Sequence, residues 1–127
     1  MIESLVCMTL AVYFEARDQP IEGQIAVAQV ILNRVEDERW PDSVCEVVKQ
    51  GGEKRNACQF SFWCDGKSEK IREHRSWSQA TIVAALTLLG AYSDPTFGSL
   101  FYHSTSANPQ WRYRQTIQIE DHIFYVY

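Results

Sequence analysis

Ser4-Leu-Val-Cys-Met-Thr-Leu-Ala-Val-Tyr-Phe-Glu-Ala16 contains no acid or base other than Glu15, apart from Cys and Tyr. So apolar a run, without Gly or Pro, predicts a helix from about Glu3 to Arg17 that is buried almost all round. Such a helix belongs at the centre of a domain, with the other elements packed about it. At 100° per residue, Leu5, Met8, Val12 and Glu15 follow one another at i, i+3, i+7 and i+10, so Glu15 stands at the margin of the apolar stripe. A carboxyl group flanked by apolar surface is disfavoured as an anion, and its pKa should rise towards neutrality. An acid that keeps its proton near pH 7 is what general acid catalysis needs, glycoside cleavage included. The plainer alternative is a helix-end Glu that reaches solvent or pairs with Arg17.

Asp18-Gln19-Pro20 ends the first helix and starts a second, which carries Ile21, Ile25, Ala28, Leu32 and Val35 as its stripe and closes at Glu36-Asp-Glu-Arg39. A short third helix follows Pro41, with Ser43 and Glu46 spaced as a capping box. Periodicity is lost from Gly51 to Arg75, except that Gln59-Phe-Ser-Phe-Trp63 alternates like a strand before an Asp65-Gly66 turn. Ser76 and Gln79 open a fourth helix with Ile82, Leu86 and Leu89 inward and Gly90 as its cap. After Asp94-Pro95 the pattern becomes β: a strand at Leu100–His103, then a hairpin of Arg112–Ile119 and Ile123–Tyr127 closed by Glu120-Asp121-His122. The expected architecture is α+β, one domain over residues 1–127, a helical body with a small antiparallel sheet in its C-terminal part.

The chain has 127 residues, 46% of them hydrophobic and 22% charged, enough for a true core without staples. Its net charge of −4 argues against a nucleic-acid binder. Seven of the twelve basic residues lie between Lys49 and Arg75, either a basic patch or a solvated loop. No run is long enough to span a membrane. The four cysteines show no CxxC pair: Cys7 and Cys45 read as buried thiols, and Cys58 with Cys64 as a bridge if the compartment is oxidising. No cofactor and no metal are expected.

Tyr13-Phe-Glu15-Ala-Arg17, Glu22-Gly23-Gln24 and Val30-Ile-Leu-Asn33-Arg34-Val35 resemble the opening of the SleB/CwlJ-type cell wall hydrolases. Gln59-Phe60-Ser61, Phe101-Tyr102-His103, Pro109-Gln-Trp111 and His122-Ile-Phe124-Tyr125 match later landmarks of that family in the right order. The resemblance implies a lysozyme-like fold and cleavage of peptidoglycan glycan strands between N-acetylmuramic acid and N-acetylglucosamine. It implies Glu15 as the essential acid. Members commonly continue Gly-Glu after that motif, where this chain has Asp18-Gln19, so no role transfers to that neighbouring Glu.

Glycosidases ordinarily use two carboxylates. Here only Glu15 is placed by an apolar setting, with Asp18, Glu22 and Asp65 as solvated candidates for a second. One carboxyl suffices for a lytic transglycosylase, which favours that reaction over a hydrolytic muramidase. Gln59 and Ser61 are expected to offer amide and hydroxyl groups to the sugars. Tyr102, Trp111 and Trp63 are candidates to stack on sugar faces, and Tyr13 to pack over Glu15 or simply be buried. His103 either bonds substrate or orients a neighbour. Arg34 reads as a structural ion partner or helix-dipole match. A metal-dependent amidase using His74, His103 or His122 lacks ligand spacing, and an inert wall-binding module has no use for a buried acid. The expected setting is a monomer without membrane insertion that acts on the wall, endolysin-like without its own export signal, or secreted if the chain is part of a longer protein.

Overall fold

The computed structural model describes residues 2–52, 58–67 and 70–127. Four helices precede three strands: α1 (Ile2–Ala16), α2 (Ile21–Glu36), α3 (Val44–Val48), α4 (His74–Leu88), β1 (Phe101–Ser104), β2 (Arg114–Ile119) and β3 (His122–Val126). The sheet is antiparallel in the order β1-β3-β2. Register pairs Tyr102 with Phe124 and His103 with Ile123, and a bulge interrupts β2 between Gln115 and Ile117.

α1 is the central helix, in contact with α2, α3 and α4. Met8, Ala11, Val12, Tyr13 and Ala16 are buried along it, and Ala28, Ile31, Val47, Val83 and Ala84 close over them from the other three helices. Each large aliphatic side chain taken out of water contributes about 1.5–3 kcal/mol, which is why a helix this apolar can only be stable inside. The Ser43 hydroxyl accepts from the Glu46 amide at 3.2 Å, so the expected cap starts α3.

Four sequence expectations change. α4 starts at His74 after Glu73 with no side-chain cap bond, so Ser76 and Gln79 lie inside the helix and do not open it. α2 and α4 bury other faces than their large aliphatic residues suggest: Ile82 is 59% and Leu89 80% exposed, while Ala80, Val83, Ala84 and Thr87 face inward. Small side chains let α4 approach α1 closely, and Ile82 and Leu89 are left at the rim. α2 lies between two layers, with Ala28 and Ile31 against the helices and Ala26 and Val30 against Phe124 of the sheet, so no single stripe describes it. Gln59–Trp63 is not a strand: Ser61–Trp63 forms a 3₁₀ turn inside the loop closed by Cys58–Cys64. Cys7 and Cys45 are not free thiols but a disulfide joining α1 to α3 across 38 residues.

The sheet meets the helical body through Asn33 and Arg34 at the end of α2. The Asn33 side-chain amide donates to Asp94 at 2.9 Å and to the Ser99 carbonyl at 3.0 Å, and Arg34 Nε donates to the Leu100 carbonyl at 2.8 Å. Burial pushes the Asp94 carboxyl up, but bonds from Thr96, Asn33 and Gly98 outweigh it and leave the pKa lowered. This anchored loop delivers β1, and with it Tyr102, to the C-terminal end of α1.

Candidate active site

Glu15 occupies the last turn of α1, where the helical body gives way to the sheet. The Tyr102 hydroxyl, arriving from β1, donates to Glu15 Oε1 at 2.6 Å. Burial raises the Glu15 pKa, and the Tyr102 bond and the Arg34 charge bring it back only in part. Tyr102 itself is driven well above the ordinary phenol range by burial and by Glu15, so its hydroxyl remains a donor. Fixing one carboxyl oxygen in this way leaves the other to hold and deliver a proton.

Arg34 stands behind this pair. Its residue is 5% exposed, its guanidinium lies 4.2 Å from the Trp40 ring centroid, and Nη1 has no hydrogen-bond partner among the described residues. Burial lowers its pKa to about 10, against the pull of Tyr102, Tyr127 and Glu15, so it is still a cation at neutral pH. A buried positive charge near Glu15 stabilises the carboxylate left after proton transfer. The sequence reading of Arg34 as structural is thus half the account, since it holds Leu100 and also lines the site.

A cavity of about 360 Å³ opens over Glu15, Arg34, Gln59, Tyr102, His103 and Trp111. A second, of about 420 Å³, adjoins it through Glu15, Ser104 and His122 and includes Asp18 and Asp121. Together they make a cleft that continues on both sides of the carboxyl group, aromatic on one side and polar on the other.

Five residues singled out from sequence, Glu15, Gln59, Tyr102, His103 and Trp111, therefore line one cavity. Their parts differ from expectation in places. Tyr102 packs at 5.6 Å from Phe124 and at 5.0 Å, edge-on, from His122, and acts through its hydroxyl instead of stacking outward. His103 uses both ring nitrogens: Nδ1 donates to the Ser104 carbonyl at 2.7 Å, which leaves Nε2 to accept from the Tyr125 hydroxyl at 2.7 Å. It orients its neighbours, with Trp111 edge-on at 5.2 Å. Trp111, 39% exposed, keeps a face for a ligand. Ser61 is exposed and away from the cleft, because the 3₁₀ turn carries it past the wall that Gln59 and Phe60 form. Tyr13 does not cover Glu15: its ring is buried and its hydroxyl accepts from the Arg72 and Glu73 amides. Trp63 sits under Lys49, outside the cleft.

His122 was missed. It is buried between the two cavities, and burial lowers its pKa, so a neutral imidazole flanks Glu15. No periodic signal marks it, since it falls where sequence reasoning places a turn. Among the described residues, no three His, Cys, Asp or Glu side chains converge as a metal site would require.

Comparison with known proteins places these observations in a lineage. The family profile described as Cell Wall Hydrolase matches residues 18–125, beginning three positions after Glu15. A spore cortex-lytic enzyme of Oceanobacillus iheyensis is 33% identical over 120 residues, covering 92% of this chain and 39% of that protein. One from Bacillus subtilis is 34% identical over 122 residues, covering 90% of this chain and 34% of that protein. The chain thus spans little more than a third of the relatives it matches. The catalytic domain of the Bacillus cereus SleB protein superposes with a TM-score of 0.80 at 29% identity, covering 99% of this chain and 91% of that one. The catalytic domain of the germination-specific lytic transglycosylase SleB from Bacillus anthracis superposes with a TM-score of 0.78 at 30% identity, covering 97% and 93%.

Proposed function

This chain belongs to the cell wall hydrolase family, and from that membership we propose that it cleaves peptidoglycan glycan strands between N-acetylmuramic acid and N-acetylglucosamine, as a lytic transglycosylase with Glu15 as its acid. The carrying observation is the half-buried carboxyl of Glu15, its pKa raised by burial, held by Tyr102 at 2.6 Å at the junction of two cavities. In the forward step Glu15 gives its proton to the bridging oxygen as the muramic C1–O bond breaks, and N-acetylglucosamine leaves with a free 4-hydroxyl. The Glu15 carboxylate then takes the proton of the muramic 6-hydroxyl while that oxygen bonds to C1, closing a 1,6-anhydro ring. The carboxyl is restored, and no second carboxylate is consumed. Gln59 and Trp111 line the aromatic side of the cleft, where an amide and a ring face suit N-acetyl sugars. Two disulfides accord with work outside a reducing cytosol.

Hydrolysis is the second reading, favoured by one observation: Asp18 and Asp121 line the adjoining cavity and offer a base for water. Mass spectrometry of the released muropeptides separates the two. Anhydromuramic ends are expected, whereas reducing ends would replace transglycosylation with muramidase chemistry.

A further inference from the structure

A separate cavity of about 260 Å³ lies on the far side of the Gln59–Phe62 segment, lined among the described residues by Arg17, Lys67, Lys70 and Arg72 and by the carboxylates of Asp65 and Glu73. We propose that this cavity binds free carboxylates of the peptide that muramic acid carries, so that the domain reads the peptide as well as the glycan; this rests on peptidoglycan being the substrate.

Charge comes first. In a chain of net charge −4, the described lining of this cavity still holds Lys67 and Arg72 against Asp65 once Arg17 is paired with Glu73. An excess of one sign in a concave site concentrates the opposite charge there. The glycan backbone is neutral, so the anionic groups nearest the cleaved bond belong to the peptide.

Position follows. Phe14 and Phe62, stacked at 5.1 Å, line this cavity, while their neighbours Glu15, Gln59 and Phe60 line the catalytic cleft. The Gln59–Phe62 segment, inside the loop closed by Cys58–Cys64, and the end of α1 both border the two cavities. A substituent leaving a sugar bound beside Glu15 would cross this border to reach the cations.

Arg17 and the backbone that carries Arg72 are also held in place before any ligand arrives. The Tyr13 hydroxyl accepts from the backbone amides of Arg72 at 3.2 Å and Glu73 at 3.0 Å, pinning that segment to α1. Arg17 is fixed twice, by Glu73 at 3.3 Å and over the Tyr13 ring at 4.8 Å. This gives buried Tyr13 a part in recognition, although it never touches the glycan.

The test is an NMR titration of the protein with a soluble muramoyl peptide, once as the free acid and once with its carboxylates amidated. The free acid is expected to shift the Arg17 and Arg72 Nε signals, and the amidated form to leave them in place. The double variant Lys67→Gln with Arg72→Gln should remove the response. The same variant should raise KM about three- to tenfold on peptide-bearing strands, as expected for two exposed charge pairs, with kcat unchanged. On strands whose peptide carboxylates are amidated, which leaves the muramic lactyl group in its amide bond, its KM should equal that of the unaltered protein. Equal responses to acid and amide, a response only to a phosphodiester wall polymer, or an equal KM loss on amidated strands would each overturn the proposal. If the unaltered protein cleaves neither strand, the glycosidase reading fails, and the titration still decides the cavity.

Discussion

Glu15 and Arg17 leave the same helix end two residues apart, yet face surroundings that give them different chemistry. Glu15 is turned toward the seam with the sheet, where its partners are a neutral phenol and a buried guanidinium behind it. Arg17 is turned toward the segment after the 3₁₀ turn, 39% exposed and paired with a Glu73 carboxylate that is 56% exposed. The first setting withholds water and so raises a pKa; the second leaves water in and keeps charges as charges. The proposed catalysis belongs to the dry side of the helix and the proposed charge recognition to the wet side.

The largest effect should come from removing the acid on the dry side. Glu15→Gln keeps the acceptor for Tyr102 but has no proton to give, so glycan cleavage should fall by about 10²–10⁴, measured as released reducing or anhydro ends. The same variant should melt at a higher temperature than the unaltered protein at neutral pH. A carboxyl whose folded pKa is raised costs stability above that pKa, and the cost disappears below its unfolded pKa. The gap in Tm should therefore close as pH falls through the two values. A variant that loses activity but gains no stability would mean that Glu15 is not strained by its surroundings.

Tyr102→Phe should have an intermediate effect. The phenol bond both orients the carboxyl and lowers its pKa, so without it kcat should drop about tenfold to a hundredfold, as for a bond to a charged group. The alkaline limb of the pH–rate profile should move upward, because one of the two influences that favour the anion has gone. An unmoved limb would separate the bond from the titration of Glu15. The smallest effect belongs to the wet side: Arg17→Gln should cost no more than about 1 kcal/mol of stability in denaturant unfolding, since exposed pairs are screened. A larger loss would show that the Arg17–Glu73 pair is as shielded as the Glu15 seam, and the contrast would collapse.

What could be read beforehand follows the range of the forces involved. Helices α1 to α4 and the late hairpin were legible because each is announced by local patterns: the uninterrupted apolar run before Glu15, the Ser43–Glu46 cap, and Gly90 with its φ of +75°. Glu15 stood out because a single charge in an apolar run is anomalous at any level of structure. Arg34 offered the same signal inside Val30-Ile-Leu-Asn33, but its place near a helix end gave a sufficient local explanation. Gln59–Trp63 misled because alternation describes a strand only when a partner strand exists, and a six-residue separation closed by Cys58–Cys64 leaves room for none. Ile82 and Leu89 misled because helix packing selects for close approach as well as for hydrophobicity, and the alanines of α4 fit α1 better.

The order of elements and the candidate acid are written in runs of a few residues, where propensity, periodicity and capping act through adjacent atoms. Which residues share the cleft is another matter: Tyr102 stands 87 positions from Glu15, and Arg72 59 from Tyr13. Only packing decides such meetings, because burial and the field of distant charges depend on every element that closes over a site, and no local stretch contains that information.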